Sequence, residues 1–212
     1  MYVKNNMTGN PFTVAPDASL TETMAIMKAH GVRHLPVIEN GKVVGVVSNS
    51  DIAKASPSSA TSLSSSELTY LLSKLKIASI MTKHPITISP DALLEEAAVL
   101  MRDNKIEMLP VVQAGKLVGV ITESTILDAF IELLGFRDPG TRLTVDTVDA
   151  PGVLARLASI TARHHASIQH LAVYRGQGTS TVVFGVNTTN TEALESDLTA
   201  DGFTVVAKLI NR

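Results

Sequence analysis

Hydrophobic and polar positions recur along this chain with an offset of 74 residues. Without any gap, residues 7–52 align with residues 81–126, and 20 of the 46 aligned pairs are identical. Nine of the 26 remaining pairs replace one apolar residue by another, as at Val32 and Ile106. Chance does not preserve both identity and hydropathy over such a length, so the chain contains two copies of one structural unit.

The pattern within each copy predicts the element order βαββα. In the first copy, a short strand around Thr13–Val14 leads through Pro-Asp into a helix with apolar residues at helical spacing, which Asp17 or Ser19 can cap. An Asn-Gly turn at 40–41 joins two strands into a hairpin, and a second helix begins near Asn49. Because one such unit leaves an apolar sheet face exposed, we expect the two copies to form a pseudo-twofold pair.

The last third of the chain follows a different pattern. From Thr141 onwards the residues predict strand, helix, two strands joined by a turn, helix and strand. This βαββαβ order is that of a ferredoxin-like domain, with an antiparallel sheet and two helices on one face. The chain is therefore assigned to the α+β class.

The domain boundaries follow from these patterns. Seven of the eleven residues 56–66 are Ser, which is the composition of a linker, and a helix can resume over 67–75. Residues 137–140 are rich in turn formers and separate the repeats from the last domain. We expect the first copy at 1–55, the Ser-rich linker and helix at 56–76, the second copy at 77–136 and the C-terminal domain at 141–212.

Composition excludes several classes of function. With 18 Lys and Arg against 20 Asp and Glu, the chain lacks the basic excess of a nucleic-acid binder. It has no Cys, so disulfides and thiolate chemistry are impossible. We find neither a membrane-spanning apolar stretch nor a signal peptide, and expect a cytoplasmic protein without membrane or nucleic-acid partners.

The repeated unit resembles a cystathionine-β-synthase-type (CBS) domain. The resemblance rests on Met-Thr at the start of each copy, on the strand followed by Pro-Asp, on Arg-His-Leu-Pro-Val at 33–37 and on Gly-Val-Val-Ser-Asn-Ser-Asp at 45–51. Two such units in tandem resemble a CBS pair, or Bateman module. The resemblance implies that adenosine-containing ligands bind in a cleft of this pair.

The C-terminal third is similar to an ACT domain. The similarity rests on a strand followed by Asp-Ala-Pro-Gly-Val-Leu at 149–154, together with the order of the elements. A CBS pair followed by an ACT domain in so short a chain resembles the acetoin-utilisation AcuB-like group. Since a core of about 70 residues is small and gains stability by pairing with another copy, we expect a homodimer.

Ser48 and Asp51 are the strongest candidates for ligand contacts. A carboxylate can accept hydrogen bonds from both hydroxyls of a ribose, and the hydroxyl and free N–H groups at a helix start suit phosphate oxygens. The same Ser-x-x-Asp spacing also matches a capping box, which needs no ligand, and both interpretations remain open here. The resemblance implies a nucleotide site composed of Thr13, Val14, Arg33, His34, Leu35, Val37, Ser48 and Asp51.

The second copy departs from this pattern. Thr125 stands where the first copy has Asp51, and Glu107-Met108 replaces Arg33-His34. Threonine offers one ribose contact and no charge, so we expect a single good site. The equivalent, weaker second site would comprise Thr87, Ile88, Met108, Leu109, Val111, Thr122 and Thr125.

The ACT resemblance implies a further candidate site. The loop at 149–152 precedes a helix whose N-terminus favours a carboxylate, and Gly152 permits a close backbone approach. In ACT domains this loop meets the second strand of a partner subunit around an amino acid, although in many of them dimerisation is the only role. The implied amino-acid site comprises Asp149, Gly152, Val153, Ser167, Ile168 and Gln169.

These features together predict a regulatory protein rather than an enzyme. The chain contains none of the common catalytic, phosphate-loop or zinc motifs, and its six His are scattered, so we expect no metal site. The CBS pair is expected to bind AMP, ADP, ATP or S-adenosylmethionine as a small-molecule effector. The ACT domain would sense an amino acid or dimerise, and the bound state would alter contact with an unidentified protein target. The alternative is an interaction scaffold that needs no ligand.

Overall fold

A computed structural model describes residues 1–56 and 65–211 of the chain. The chain divides into two compact units, Met1–Leu127 and Asp128–Arg212. Most of the Ser-rich segment predicted as a linker at 56–66 lies outside the described residues. The domain bounds expected from the sequence therefore stay predictions.

The first unit contains both copies of the repeat, and its last helix, α5, continues past Leu127. Its strands are β1 Thr8–Gly9, β2 His34–Glu39, β3 Lys42–Ser48, β4 Thr82–Lys83, β5 Met108–Gln113 and β6 Lys116–Thr122. Its helices are α1 Leu20–His30, α2 Asn49–Ala55, α3 Ser65–Lys74, α4 Leu94–Asn104 and α5 Glu123–Leu133, with 3-10 turns at Val3–Asn5 and Ile77–Ser79.

The ends of helix α1 show how local sequence determines its length. The Ser19 hydroxyl accepts a hydrogen bond from the Glu22 N–H at 3.2 Å, and the Glu22 carboxylate accepts one from the Ser19 N–H at 2.8 Å. This capping box makes Ser19, rather than Asp17, the N-cap. Gly31 ends the helix in the left-handed conformation at φ +64°. In the second copy, Lys105 occupies the same position at φ +55°.

The strand predicted around Thr13–Val14 is wrong as a continuous strand, and the equivalent segment of the second copy, Thr87–Ile88, does not form one either. Each segment makes one isolated bridge, from Val14 to Val37 and from Ile88 to Val111. Prolines on both sides of each segment remove backbone donors and so prevent a longer ladder. The bridging side chains are nonetheless buried and contribute to the core.

The two copies exchange their N-terminal segments. Strand β4 of the second copy adds to the first hairpin in the sheet β2-β3-β4, and β1 of the first copy adds to the second hairpin in the sheet β1-β6-β5. The preceding segments are exchanged as well, since the Val3 N–H donates to the Ala92 carbonyl at 2.9 Å and the Ile77 N–H donates to the Ala18 carbonyl at 3.0 Å. These reciprocal contacts relate the copies by an approximate twofold axis.

The second unit has the predicted βαββαβ order. Its elements are β7 Gly140–Val148, α6 Val153–Arg163, β8 Ile168–Arg175, β9 Thr179–Val186, α7 Glu192–Ala200 and β10 Thr204–Asn211. The four strands form one antiparallel sheet in the order β10-β7-β9-β8.

One face of this sheet carries both helices. Alternate residues of β7 and β9, such as Leu143 and Phe184, pack with Leu157 of α6 and Leu198 of α7 in a single buried cluster. This two-layer arrangement confirms the expected ferredoxin-like element order. None of the helices in the described part of the chain has the length and apolarity needed to cross a membrane.

Candidate functional site

Ser48 and Asp51 lie at the junction of strand β3 and helix α2. The Ser48 N–H and hydroxyl donate to Asp51 Oδ2 at 2.9 and 2.6 Å, and the Asp51 N–H donates to Ser48 Oγ at 3.2 Å. The capping box that was one of the two interpretations is therefore formed. All of these carboxylate contacts involve Oδ2, and among the described residues no other hydrogen bond to the Asp51 carboxylate is present. The second oxygen, Oδ1, can thus accept from a ligand while the cap is kept.

Asp51 lines a cleft of about 420 Å³ whose walls come from both copies of the repeat. We call it the Asp51 cleft. The first copy contributes residues around the start of α2, together with His34. The second copy contributes the segment that β4 carries across, namely Thr82 and residues 84–86, and the turn at 104–108 between α4 and β5. Strand exchange is therefore what completes this cleft.

A related cleft of about 500 Å³ lies at the other symmetry position, and we call it the Thr122 cleft. It is lined by residues 8–12 of the first copy, by residues 30–36, and by Thr122 and its neighbours. Thr125 hydrogen-bonds Thr122 here, with their hydroxyls 2.9 Å apart and the Thr125 N–H donating to Thr122 Oγ1 at 3.3 Å. The pair repeats the cap of the first copy without its negative charge.

The structure divides the residues predicted for the first site between the two clefts. His34, Ser48 and Asp51 line the Asp51 cleft. Arg33 and Leu35 line the Thr122 cleft, which His34 also reaches. Val14 and Val37 are buried against each other, and the exposed Thr13 lines neither cleft. The exchanged segments complete the cleft of the other copy, and the expected grouping of these residues around one ligand stays a prediction.

The residues predicted for the second site show the same division. Met108 lines both clefts, Thr122 lines the Thr122 cleft, and Thr125 is hydrogen-bonded to Thr122. Ile88, Leu109 and Val111 belong to the buried core, and Thr87 is exposed outside both clefts. The three core side chains line neither cleft, and their predicted contacts with a ligand stay a prediction.

His34 and Glu107 meet where the two clefts adjoin. Their Nε2 and Oε2 atoms are 3.6 Å apart, and the His34 side chain is 17% exposed. Burial lowers the pKa of His34 below its ordinary value, and the nearby Glu107 carboxylate opposes this shift. At neutral pH the imidazole is therefore uncharged, so one of its ring nitrogens can donate a hydrogen bond and the other can accept one.

Three basic residues in the Asp51 cleft were missed by the sequence analysis. Lys54 lies one turn beyond Asp51 on α2, and His84 and Lys105 come from the second copy. The Met-Thr pair before His84 marks the crossing segment, but only the strand pairing shows where that segment goes. These residues were missed because the pairing of strands between the two copies is not apparent from the sequence.

The loop at 149–152 forms a cleft of about 320 Å³ in the second unit. Asp149, Gly152 and Val153 line it, with Gly152 at φ +87°. Arg175 Nε lies 3.4 Å from the Asp149 carboxylate, and Ser180 Oγ is buried there without a hydrogen-bond partner among the described residues.

The other three residues of the implied amino-acid site lie elsewhere. Ser167, Ile168 and Gln169 stand at the start of β8, whereas the cleft meets that strand near its end, at 173 and 175. In the single chain these residues are therefore not brought to the loop. Since the resemblance assigns them to a partner subunit, their role stays a prediction. Across the described residues, no group of three or more acidic or His side chains is arranged to hold a metal ion.

A family model described as the CBS domain matches the chain twice, over residues 3–58 and 77–132. A CBS domain-containing protein of Dictyostelium discoideum is 32% identical over 136 residues, which are 63% of this chain and 94% of that protein. An inosine-5′-monophosphate dehydrogenase of Korarchaeum cryptofilum is 34% identical over 140 residues, 66% of this chain but 26% of the enzyme. The match to the enzyme is thus limited to about a quarter of its length.

Solved structures show the same similarity. A Vibrio cholerae protein described as an acetoin utilization protein (AcuB) is 30% identical, with a TM-score of 0.54 over 65% of this chain and 96% of that one. CBSX2 in complex with AMP is 30% identical, with a TM-score of 0.52 over 62% and 96% of the two chains. The CBS domain pair of protein MJ0100, in complex with 5′-methylthioadenosine and S-adenosyl-L-methionine, is 30% identical, with a TM-score of 0.51 over 61% and 95%.

Proposed function

Because the chain belongs to the CBS domain family, we propose that it is a regulatory protein that binds an adenosine-containing nucleotide in the Asp51 cleft. The observation that carries the proposal is the position of Asp51, whose carboxylate faces a cleft of about 420 Å³ and keeps one oxygen outside the helix cap. A ribose diol presents two donors, and a carboxylate is suited to accept both. The AMP, methylthioadenosine and S-adenosylmethionine complexes of similar CBS pairs support this ligand class.

Regulation would follow from the composite walls of the cleft. A ligand held by Asp51 of the first copy and by residues 84–86 of the second contacts both copies at once. It therefore stabilises the arrangement of the two copies in which all these contacts can form. Only such a difference in affinity between arrangements allows a ligand to shift their populations.

For the second unit we propose an ACT-type role, either amino-acid sensing at the loop 149–152 or dimerisation. The βαββαβ order and the cleft beside Asp149 support it. The CBS family model ends at residue 132, so this proposal depends on the fold and the motif alone. A homodimer, a protein target, a cytoplasmic location and membership of the AcuB-like group likewise stay predictions.

The nucleotide proposal predicts a thermal stabilisation of the full-length chain. A ligand that binds only the folded state raises stability by about 2.7 kcal/mol when present at about a hundred times its Kd. We expect an increase in Tm with at least one of AMP, ADP, ATP and S-adenosylmethionine, measured by differential scanning fluorimetry, and no increase with guanosine or cytidine monophosphate. A Tm that responds to none of the adenosine compounds contradicts the proposal.

A second candidate function is a ligand-independent interaction scaffold. The observation in its favour is that Ser48 and Asp51 already cap helix α2, so neither needs a ligand to account for its presence. This alternative predicts that neither nucleotides nor amino acids change the Tm. The same fluorimetry experiment therefore separates the two functions.

A further inference from the structure

We infer that the Asp51 cleft selects adenosine ligands that carry a 5′-phosphate over S-adenosylmethionine and methylthioadenosine. The inference rests on the proposed function and specifies the ligand class of the same cleft. It is drawn from the cationic side chains that line this cleft and are lacking at the equivalent positions of the Thr122 cleft.

The 74-residue offset allows the two clefts to be compared position by position. Lys105 and His84 of the Asp51 cleft correspond to Gly31 and Asn10 of the Thr122 cleft. Lys54 corresponds to position 128, which is Asp. The Asp51 cleft therefore has a basic residue at each of three positions where the other copy has Asn, Gly or Asp, and the basic residues of the Thr122 cleft, which include His30 and Arg33, lie at other positions.

The conformation of Lys105 adds to this contrast. It ends helix α4 in the left-handed region at φ +55° and ψ +46°, where the first copy has Gly31. A side chain at such a position is conformationally unfavourable, and glycine would relieve it. Helix termination alone therefore does not favour a lysine over a glycine here, and Lys105 lines the Asp51 cleft.

The ammonium groups of Lys54 and Lys105 are available to pair with a charged ligand. Glu107, one of the two acidic residues lining the cleft, lies 3.6 Å from the His34 imidazole and makes no ion pair with either lysine. The other is Asp51, which is the proposed partner of the ribose. Neither Lys54 nor Lys105 makes an ion pair with any described residue.

The ligand chemistry follows from this arrangement. A nucleotide with its ribose on Asp51 can direct its 5′ substituent towards the lysines, and a phosphate there would be neutralised by them. S-adenosylmethionine places a sulfonium cation next to the 5′ carbon, and its own ammonium group offsets its carboxylate, so its 5′ substituent has a net positive charge that the lysines repel. Methylthioadenosine carries no charge there. The charge of the ligand's 5′ substituent therefore determines which adenosine ligand the Asp51 cleft prefers.

The experiment is isothermal titration calorimetry of the full-length chain with AMP, adenosine, S-adenosylmethionine and methylthioadenosine. We expect AMP to bind most tightly, and its affinity, unlike that of adenosine, to fall as salt is raised. Lys54→Gln and Lys105→Gly should each lower the affinity for AMP by about fivefold and leave the affinity for adenosine unchanged. Lys105→Gly introduces the residue of the other copy and removes the unfavourable φ, so it should fold at least as well as the natural chain.

The control is Lys42→Gln, which removes the same charge from the exposed start of β3, outside both clefts. It should leave AMP binding unchanged. Binding of S-adenosylmethionine or methylthioadenosine as tight as that of AMP overturns the inference while leaving the proposed function standing, and so does unchanged AMP affinity in both lysine variants. Absence of binding by every adenosine compound overturns the proposed function and this inference with it.

Discussion

Exchanging Asp51 for Thr is expected to lower the affinity for AMP by about a hundredfold, because two hydrogen bonds between ribose hydroxyls and a charged acceptor are lost. Threonine is the residue that the second copy carries at this position. There, Thr125 hydrogen-bonds Thr122 at the start of its helix, which shows that the local cap tolerates the exchange. The variant should therefore fold, with a loss of stability of about 1 kcal/mol from the weaker cap. Isothermal titration calorimetry measures the affinity directly.

The matched control is Thr125→Ala, which changes the equivalent position of the other copy. It should leave AMP affinity unaltered, since Thr125 does not line the Asp51 cleft. A D51T chain that is folded and binds AMP as tightly as the natural chain would show that the carboxylate serves only as a cap.

Replacing Gly45 by Val is expected to destabilise the first unit by about 3 kcal/mol, at the upper end of what an overpacked site costs. Gly45 lies in β3 where β4 of the other copy crosses it. A Cβ atom at this position would overlap Met81 Sδ and lie 3.1 Å from the Thr82 carbonyl oxygen. Because the carbonyl belongs to the paired backbone, the strands would have to separate. Urea unfolding of the two chains, followed by circular dichroism, measures the difference.

Gly185→Val provides the control for this substitution. Gly185 also lies inside a strand, β9, but no heavy atom stands within 4 Å of the position its Cβ would take. The added side chain should therefore cost little. Equal loss of stability in the two variants would mean that strand propensity, and not the close crossing of the copies, determines the effect.

The internal repeat made most of the first unit predictable. Two apolar runs, 35–38 and 43–47, and an Asn-Gly turn specify the hairpin, and its turn residues Asn40 and Gly41 both have positive φ as that turn requires. The first helix predicted for the last domain is α6, Val153–Arg163, because a helical spacing of apolar positions begins directly after Pro-Gly. Local preference and burial agree in these elements, so one sequence is sufficient to predict them.

The clefts were only partly predictable. Ser48 and Asp51 could be identified because a strand end, a hydroxyl and a carboxylate are local features. The opposite wall could not, since residues 84–86 reach Asp51 through the pairing of β4 with β3, a contact between segments far apart in sequence. For the same reason the sequence did not indicate that Arg33 lines the Thr122 cleft. Hydropathy specifies which side chains are buried, but it does not specify which copy a two-residue strand will join.

The most direct measurement of the central claim is a crystal structure of the full-length chain grown with AMP. The account predicts one nucleotide in the Asp51 cleft, with both ribose hydroxyls within hydrogen-bond distance of the Asp51 carboxylate and the phosphate towards Lys54 and Lys105. A nucleotide bound only in the Thr122 cleft, or an Asp51 cleft that stays empty at saturating AMP, would contradict it.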